Sequence, residues 1–349
     1  MKVLHLVPAM EQGGVETVVL ALNRIVVGNG WESVVISKGG RLVSRLVADG
    51  GRHVALDVKS KNPLTYFWRA WKLRKLLKAE KPDLVCAHSR VPAWLFVWAN
   101  RTLGLKWITY AHGANSVSRY SEVMTKGDLT VTPSRFLADY LKANYGMPGA
   151  KIRVIPNSVD AVRFDPGRLD QAFVAAKRRE WGIHEGDHVI MAIGRITPVK
   201  GFDSLIRDFA ERKSQIPNLK LVIVGGAGKH HRKYFETLKK LASTVHLRLS
   251  PSPIIFAGAQ EKIPECIAIA DEIVSANTTK PETFGLSVIE AYAMNKPVRA
   301  KRFGGVAEVM EAVEKSGKPT LREAVISLYS PYLQAERTLA VYREAQDMV

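Results

Sequence analysis

Short apolar runs alternate with amphipathic stretches along this chain, and that alternation predicts its architecture. Residues 3–7 read as a buried strand, Gly13 and Gly14 mark a turn, and a 3.6-residue apolar period predicts a helix from 15 to about 27. Strands are expected over 33–37, 53–56, 84–87, 107–111 and 129–132, with 152–157 closing the first half. The second half repeats the winding, with strands expected over 189–193, 220–224, 254–257 and 273–274 and helices over 201–212, 230–242 and 262–269. Strands alternating with helices imply parallel sheets covered on both faces. The chain has 349 residues, whereas a single core stops growing at roughly 250–300. Two such domains are therefore expected, residues 1–165 and 188–330, joined by 166–187. A polar helix over 331–349 is expected to pack back on the first domain.

The stretch 63–81 is amphipathic and basic. Leu64, Phe67, Trp68 and Trp71 recur at i, i+3, i+4 and i+7, which reads as a stripe packed largely on the sheet. Arg69, Lys72, Arg74, Lys75, Lys78 and Lys81 are then left for an outer surface, with Arg69, Lys72, Lys75 and Lys78 the expected contact with an anionic membrane or acceptor. Each cation near an anionic lipid surface contributes about 1 kcal/mol.

Composition narrows the class. An apolar fraction of 46% and a charged fraction of 24% exclude a disordered or fibrous chain. Cys86 and Cys266 are too few and too far apart for a disulfide framework or a cysteine-based zinc site, and they fit a reducing cytoplasm. Residues 1–10 read as a first strand and not as a signal peptide, and no apolar run approaches the ~18–20 residues of a membrane span. Net charge is +18, and residues 1–165 hold 24 Lys/Arg against 12 Asp/Glu, so most of the surplus sits in the first domain. That balance implies an anionic partner, whether nucleic acid, membrane surface or phosphorylated substrate.

Candidate chemistry concentrates in KPETFGLSVIE, residues 280–290. Glu282 and Glu290 are eight residues apart, so a helix starting near Phe284 carries Glu290 and leaves Glu282 before it. Thr283, Gly285 and Ser287 are small enough for a diphosphate to approach the helix start, where free N–H groups meet anions. Arg195 and Lys200 lie in one loop after the strand 189–193, placing two cations at the ligand edge of a parallel sheet. His112 directly follows a strand and occupies the matching edge of the first domain. HEGDH at 184–188 matches the HExxH pattern of zinc proteases in letters alone, because Gly182 and Gly186 interrupt the helix that pattern needs. The GxGxxG dinucleotide fingerprint is absent, which argues against a Rossmann dehydrogenase.

Taken in order, these pieces resemble the retaining glycosyltransferases of family 4. The resemblance covers residues 1 to about 310 and rests on GGVE at 13–16, HG at 112–113, TPSRF at 132–136, IPNSVD at 155–160, GRITPVKGFDSLI at 194–206, LVIVGG at 221–226 and PETFGLSVIEAYAMNKPV at 281–298. It implies the GT-B fold, two facing Rossmann-like doubly wound domains with a cleft between them, and a donor held without a cofactor. By resemblance, Arg195 and Lys200 neutralise the donor diphosphate, the backbone of Phe284, Gly285, Leu286 and Ser287 caps it, Glu290 binds the ribose and Glu282 lies by the sugar. Thr283 borders the same loop, Gly13 and Gly14 approach from the other domain, and His112 orients the sugar. Gln260 and Lys262 are possible neighbours of the nucleotide base.

No Asp-x-Asp pair occurs, so the expected transfer is metal-independent, with the two cations in the charge-neutralising role. The expected donor is a UDP-hexose, with GDP-mannose second. The expected acceptor is an anionic glycolipid of the lipopolysaccharide-core type, met at the inner face of a bacterial cytoplasmic membrane. A nucleic-acid-binding protein and an inactive glycosyltransferase-like scaffold are the rival readings. The first lacks a recognition motif, and the intact Glu282, Glu290, Arg195 and Lys200 argue against the second. Two departures from the family pattern are the proline-rich 244–253 and the run after Glu308, which lacks a Gly-and-Asp segment.

Overall fold

The protein is described by a computed structural model covering residues 1–11, 13–245, 252–277 and 280–348. The proline-rich departure at 244–253 therefore falls mostly outside the described residues. The chain divides into two units, Met1–Ser158 with Pro331–Val349, and Val159–Ser330.

The first unit runs β1 (Lys2–Leu6), α1 (Gly14–Gly28), β2 (Glu32–Ser37), α2 (Val43–Ala48), β3 (Arg52–Ala55), α3 (Tyr66–Glu80), β4 (Leu84–Ala87), α4 (Arg90–Ala99), β5 (Trp107–Tyr110), β6 (Leu129–Thr132), α5 (Arg135–Tyr145) and β7 (Ile152–Val154). Among the described residues these strands form a seven-stranded sheet of order β3-β2-β1-β4-β5-β6-β7, parallel throughout. Continuous apolar strands such as β4 are buried along their whole length, as a sheet covered on both faces requires.

The second unit runs α6 (Gln171–Glu180), β8 (His188–Ile193), α7 (Phe202–Lys213), β9 (Leu219–Val224), α8 (Arg232–Val245), β10 (Ile254–Gly258), α9 (Ile263–Ile269), β11 (Glu272–Ser275), α10 (Leu286–Ala293), β12 (Val298–Ala300), α11 (Gly305–Lys315) and α12 (Leu321–Leu328). Its strands form a parallel sheet of order β10-β9-β8-β11-β12. The boundary falls at 158/159 because Val159 and Phe164 are buried in one core with Trp181 and Ile183. The last helix, α13 (Pro331–Asp347), belongs to the first unit, burying Thr338, Val341, Tyr342 and Ala345 and pairing Glu344 with Arg153. Gly182 has φ +59 and β8 begins at His188, so HEGDH is a turn entering a strand.

The helix α3 corrects the expected facing. Ala70, Leu73 and Leu77 are its buried apolar positions, packed beside Tyr66, whereas Leu64 is 90% exposed, Phe67 62%, Trp68 54% and Trp71 45%. Two apolar stripes run along the stretch, and the compact Leu/Ala stripe is the one that faces the core. Arg69 is overturned as a surface cation. It is buried, and its guanidinium donates to Thr65 Oγ1 at 3.1 Å, the Asp57 carbonyl at 3.2 Å and the Asn62 carbonyl at 3.2 Å, stapling the preceding loop to the helix. Lys75 and Lys78 are exposed and Lys72 is half-buried. Lys72 lies 3.9 Å over the Trp68 ring and Lys75 3.8 Å over Trp71.

Candidate functional site

In the second unit, the loop following β8 is shaped by glycines. A Cβ on Gly225, whose φ is +156, would lie 1.8 Å from the Gly194 carbonyl oxygen, so the loops after β8 and β9 touch backbone to backbone. The loop then presents Arg195, exposed, and Lys200, half-buried. Among the described residues the Arg195 guanidinium makes no hydrogen bond or ion pair.

Lys200 is paired with the Glu282 carboxylate, an ion pair that brings together two residues 82 positions apart. Burial pulls the Lys200 ammonium down to about 8, and the Arg195 charge acts in the same direction. The other Glu282 oxygen, Oε2, is buried without a hydrogen-bond partner among the described residues. A buried carboxylate oxygen in that condition is costly unless a donor arrives, and a ligand hydroxyl is a suitable donor.

A second glycine contact fixes Glu282. Gly305 N–H donates to the Glu282 carbonyl at 2.8 Å, Gly304 (φ +69) bridges Glu282, and a Cβ on Gly305 would lie 2.1 Å from the Thr283 carbonyl oxygen. The pair Gly304-Gly305 thus holds the Glu282–Thr283 backbone at close range. The Phe284 ring is core, 5% exposed and edge-on to Tyr329 at 5.6 Å, which leaves its backbone as the part available to a ligand. Gly285 caps α10 with φ +95, and the helix begins at Leu286, two residues later than expected, with Ser287 in its first turn.

Glu290 lies on α10, half-buried, and its carboxylate makes no hydrogen bond or ion pair among the described residues. Burial pushes its carboxyl up to about 7, against the opposing pull of Arg163. Arg163 was not singled out from sequence, where it follows IPNSVD without a distinguishing pattern. Of the possible base neighbours, Lys262 pairs with Asp170 at 2.6 Å and Gln260 donates to the Ala257 carbonyl. Asp170 caps α6, so Lys262 is tied to that helix start.

In the first unit, Gly13 precedes α1 as its cap, and a Cβ there would lie 2.5 Å from the Glu16 carboxylate. Gly14 is the first helical residue. His112 follows β5, at the C-terminal end of its strand as expected, with Nε2 3.0 Å from His88 Nδ1. Burial pulls its imidazole down to about 4, so it is neutral at pH 7. His88 and His5, which touch each other at 3.0 Å, were missed in the sequence reading. The available signal was position, since His88 directly follows β4 as His112 follows β5.

Residues 12–163 match the family described as Glycosyltransferase Family 4, and residues 173–318 match Glycosyl transferases group 1. The chain carries a family 4 glycosyltransferase domain and a group 1 glycosyltransferase domain in series. A glycosyltransferase from Rickettsia africae ESF-5 is similar in structure, with a TM-score of 0.84 and 25% identity over 100% of this chain and 99% of that one. Anabaena Alr3699/HepE in complex with UDP and glucose shares the fold, with a TM-score of 0.75 and 19% identity over 99% of this chain and 98% of that one. The architecture is therefore GT-B, with a Rossmann-like parallel sheet in each unit.

Among curated sequences, D-inositol 3-phosphate glycosyltransferase of Segniliparus rotundus is 30% identical over 188 residues. That match covers 53% of this chain and 39% of the relative, so the chain spans well under two thirds of the relative's length. Arg195, Lys200, Glu282 and Glu290 all lie in the group 1 domain, whereas Gly13, Gly14 and His112 lie in the family 4 domain. No helix among the described residues is long and apolar enough to cross a membrane.

Proposed function

We propose that this chain transfers a hexose from a nucleotide-sugar, with retention and without a metal ion, to an anionic glycolipid of the lipopolysaccharide-core type. The observation that carries the donor half is the set of unmet polar groups on one sheet edge of the group 1 domain: the unpaired Arg195 guanidinium, the orphaned Glu282 Oε2 and the unbonded Glu290 carboxylate. A nucleoside diphosphate sugar supplies what each lacks. Its diphosphate takes Arg195 and Lys200, with the N–H groups at the start of α10 as further donors. A sugar hydroxyl donates to Glu282 and the ribose hydroxyls to Glu290.

In the transfer, the bond from the anomeric carbon to the diphosphate oxygen breaks while the acceptor oxygen bonds the same carbon on the same face. The acceptor proton passes to the departing diphosphate. Negative charge grows on that leaving group, where preorganised cations contribute most. UDP-hexose is the favoured donor, which the UDP and glucose seen with HepE supports. His112, neutral, hydrogen-bonds the sugar and orients it.

The acceptor half rests on charge and on α3. Its exposed Phe67, Trp68 and Trp71, with Leu64 in the turn just before it and interleaved with Lys72, Lys75 and Lys78, form a face suited to the interfacial layer of an anionic bilayer. The location that follows is the inner face of the bacterial cytoplasmic membrane. A thermal-shift panel of UDP-, GDP- and ADP-hexoses with and without EDTA tests the donor. Stabilisation by UDP-hexose that survives EDTA is expected, stabilisation by none sinks the donor assignment, and loss on EDTA sinks metal independence. Turnover on a water-soluble phosphorylated acceptor but on no glycolipid would overturn the acceptor class.

A further inference from the structure

At the C-terminal ends of β4 and β5 in the family 4 domain the side chains are neutral, with His88 and His112 in contact at 3.0 Å. Charge enters one step further out. Arg90, two residues after His88, opens α4 at the rim of the edge where parallel sheets meet their ligands.

A turn from later in the chain holds the Arg90 guanidinium. Its Nη1 donates to Ser121 Oγ at 3.0 Å, and its central carbon lies 5.2 Å from the centre of the Tyr120 ring. Ser121 is buried, and the Ser118 hydroxyl sits 3.2 Å from its backbone nitrogen and 3.2 Å from its Oγ. Trp94, one turn along α4, donates from Nε1 to the Tyr120 carbonyl at 2.9 Å. The turn is therefore tied to α4 on both sides of the guanidinium, which is fixed in plane by Ser121 and across its face by Tyr120.

That one hydrogen bond leaves most of the donor fork unspent. Among the described residues, Nε and Nη2 of Arg90 make no hydrogen bond, and no carboxylate pairs with it. Glu122, in the adjoining turn, is drawn to Lys126 at 3.8 Å. Two other arginines show what a purely structural role looks like. Arg69 is buried and donates to three oxygens, and Arg322 donates to the carbonyls of Ala161, Phe164 and Ala293. Arg90 is only half-buried and keeps Nε–H and Nη2–H parallel along one side, the arrangement that takes two oxygens of one oxyanion.

A planar carboxylate has two oxygens, and the fork alone would use both. A phosphoryl group has a third, and the start of α4 can meet it, because Ser89 does not cap that helix through its side chain. We propose that Arg90 is an oxyanion-binding residue of the family 4 domain and that it takes a phosphoryl group of the acceptor. On the glycosyl-transfer reading, on which the acceptor role rests, Arg90 selects phosphorylated acceptors over neutral ones and takes no part in holding the donor.

The test is a 1H–15N correlation spectrum of the arginine Nε–H groups of the full chain, titrated with inorganic phosphate at constant ionic strength and pH 6.5. Arg90→Lys assigns the Arg90 signal, and Arg90→Gln assigns it if the lysine variant does not fold. A saturable shift of that signal is expected, with a midpoint for phosphate at least about threefold below that for acetate. No shift, or the same shift with chloride, overturns the site, and acetate binding as well as phosphate overturns the phosphoryl assignment. In turnover with a phosphorylated glycoside acceptor, Arg90→Gln is expected to raise the acceptor KM about tenfold or more and to keep the donor KM within about twofold. An unchanged acceptor KM, or an equal rise for the same glycoside without its phosphate, overturns the acceptor role. The titration needs no turnover, so a saturable phosphate shift in a protein inactive with every nucleotide-sugar would refute the transferase reading and leave the anion site standing.

Discussion

Both units set their candidate residues at the C-terminal ends of parallel strands, yet the two edges are opposite in electrical character. In the group 1 domain the edge carries Arg195, Lys200, Glu282 and Glu290, charged or titrating near neutrality and only partly buried. In the family 4 domain the equivalent edge carries His88 and His112, neutral and held by stacking and by each other. The same strand-end geometry therefore carries two different kinds of surface. On the proposed function, one edge would offer charge to a diphosphate, and the other an uncharged polar surface. Parallel-sheet topology determines where a ligand meets the chain, and the solvation of the side chains there determines which part of the ligand it meets.

The largest expected effect that sharpens the contrast is at Lys200. Lys200→Met removes charge from the leaving group and strands Glu282, so turnover is expected to fall by about 100- to 1000-fold. A loss under about threefold would mean that this edge is not where the diphosphate sits.

Next is the pH profile of kcat/KM. On the proposed donor reading, ribose hydroxyls donate best to Glu290 as the carboxylate, so activity should rise as pH passes about 7, and Lys200 loses its charge above about 8, so activity should fall there. Glu290→Gln should remove the acid limb and Lys200→Arg the alkaline one. A profile flat from pH 6 to 9 would contradict both assignments.

Stability separates the edges with opposite signs. His5, His88 and His112 have folded pKa values below their unfolded value of about 6.5. Their contribution is complete above that value and is lost as pH falls toward 4. Glu290, with its folded pKa raised, disfavours folding progressively as pH rises from about 4.5 to about 7. Urea midpoints of wild type and Glu290→Gln across pH 4 to 8 are expected to diverge only on the neutral side, and the steepest wild-type loss should lie below pH 6.

The smallest effect concerns α3. Trp68→Ser with Trp71→Ser should reduce binding to phosphatidylglycerol vesicles severalfold and leave nucleotide binding within about twofold. Undiminished flotation with the vesicles would remove α3 as the membrane face.

The alternation of apolar runs placed the strands of both sheets closely, because a strand buried on both faces has to be apolar throughout. The helix α3 shows where that signal stops. Leu64, Phe67, Trp68 and Trp71 and the buried Ala70, Leu73 and Leu77 both recur at helical spacing, and periodicity alone does not say which stripe meets the sheet. Arg69 was misread with it, since a guanidinium satisfied by carbonyl groups looks in sequence like any surface cation. In the site, the E-x7-E spacing and the Arg195/Lys200 loop were legible because their residue types carry the chemistry. The support of Glu282 by Gly304 and Gly305 and the histidine line from His5 arise from contacts between distant strands and loops, which local pattern does not encode.

The central claim is that Arg195 and Lys200 on the group 1 edge hold the donor diphosphate. Calorimetric titration of UDP into wild type and Arg195→Ala tests it most directly, because Arg195 is exposed and its loss should leave the fold intact. A charge-assisted contact contributes roughly 1.5–3 kcal/mol, so the account predicts a Kd about 10- to 100-fold weaker in the variant. Equal affinity in the two proteins would contradict it.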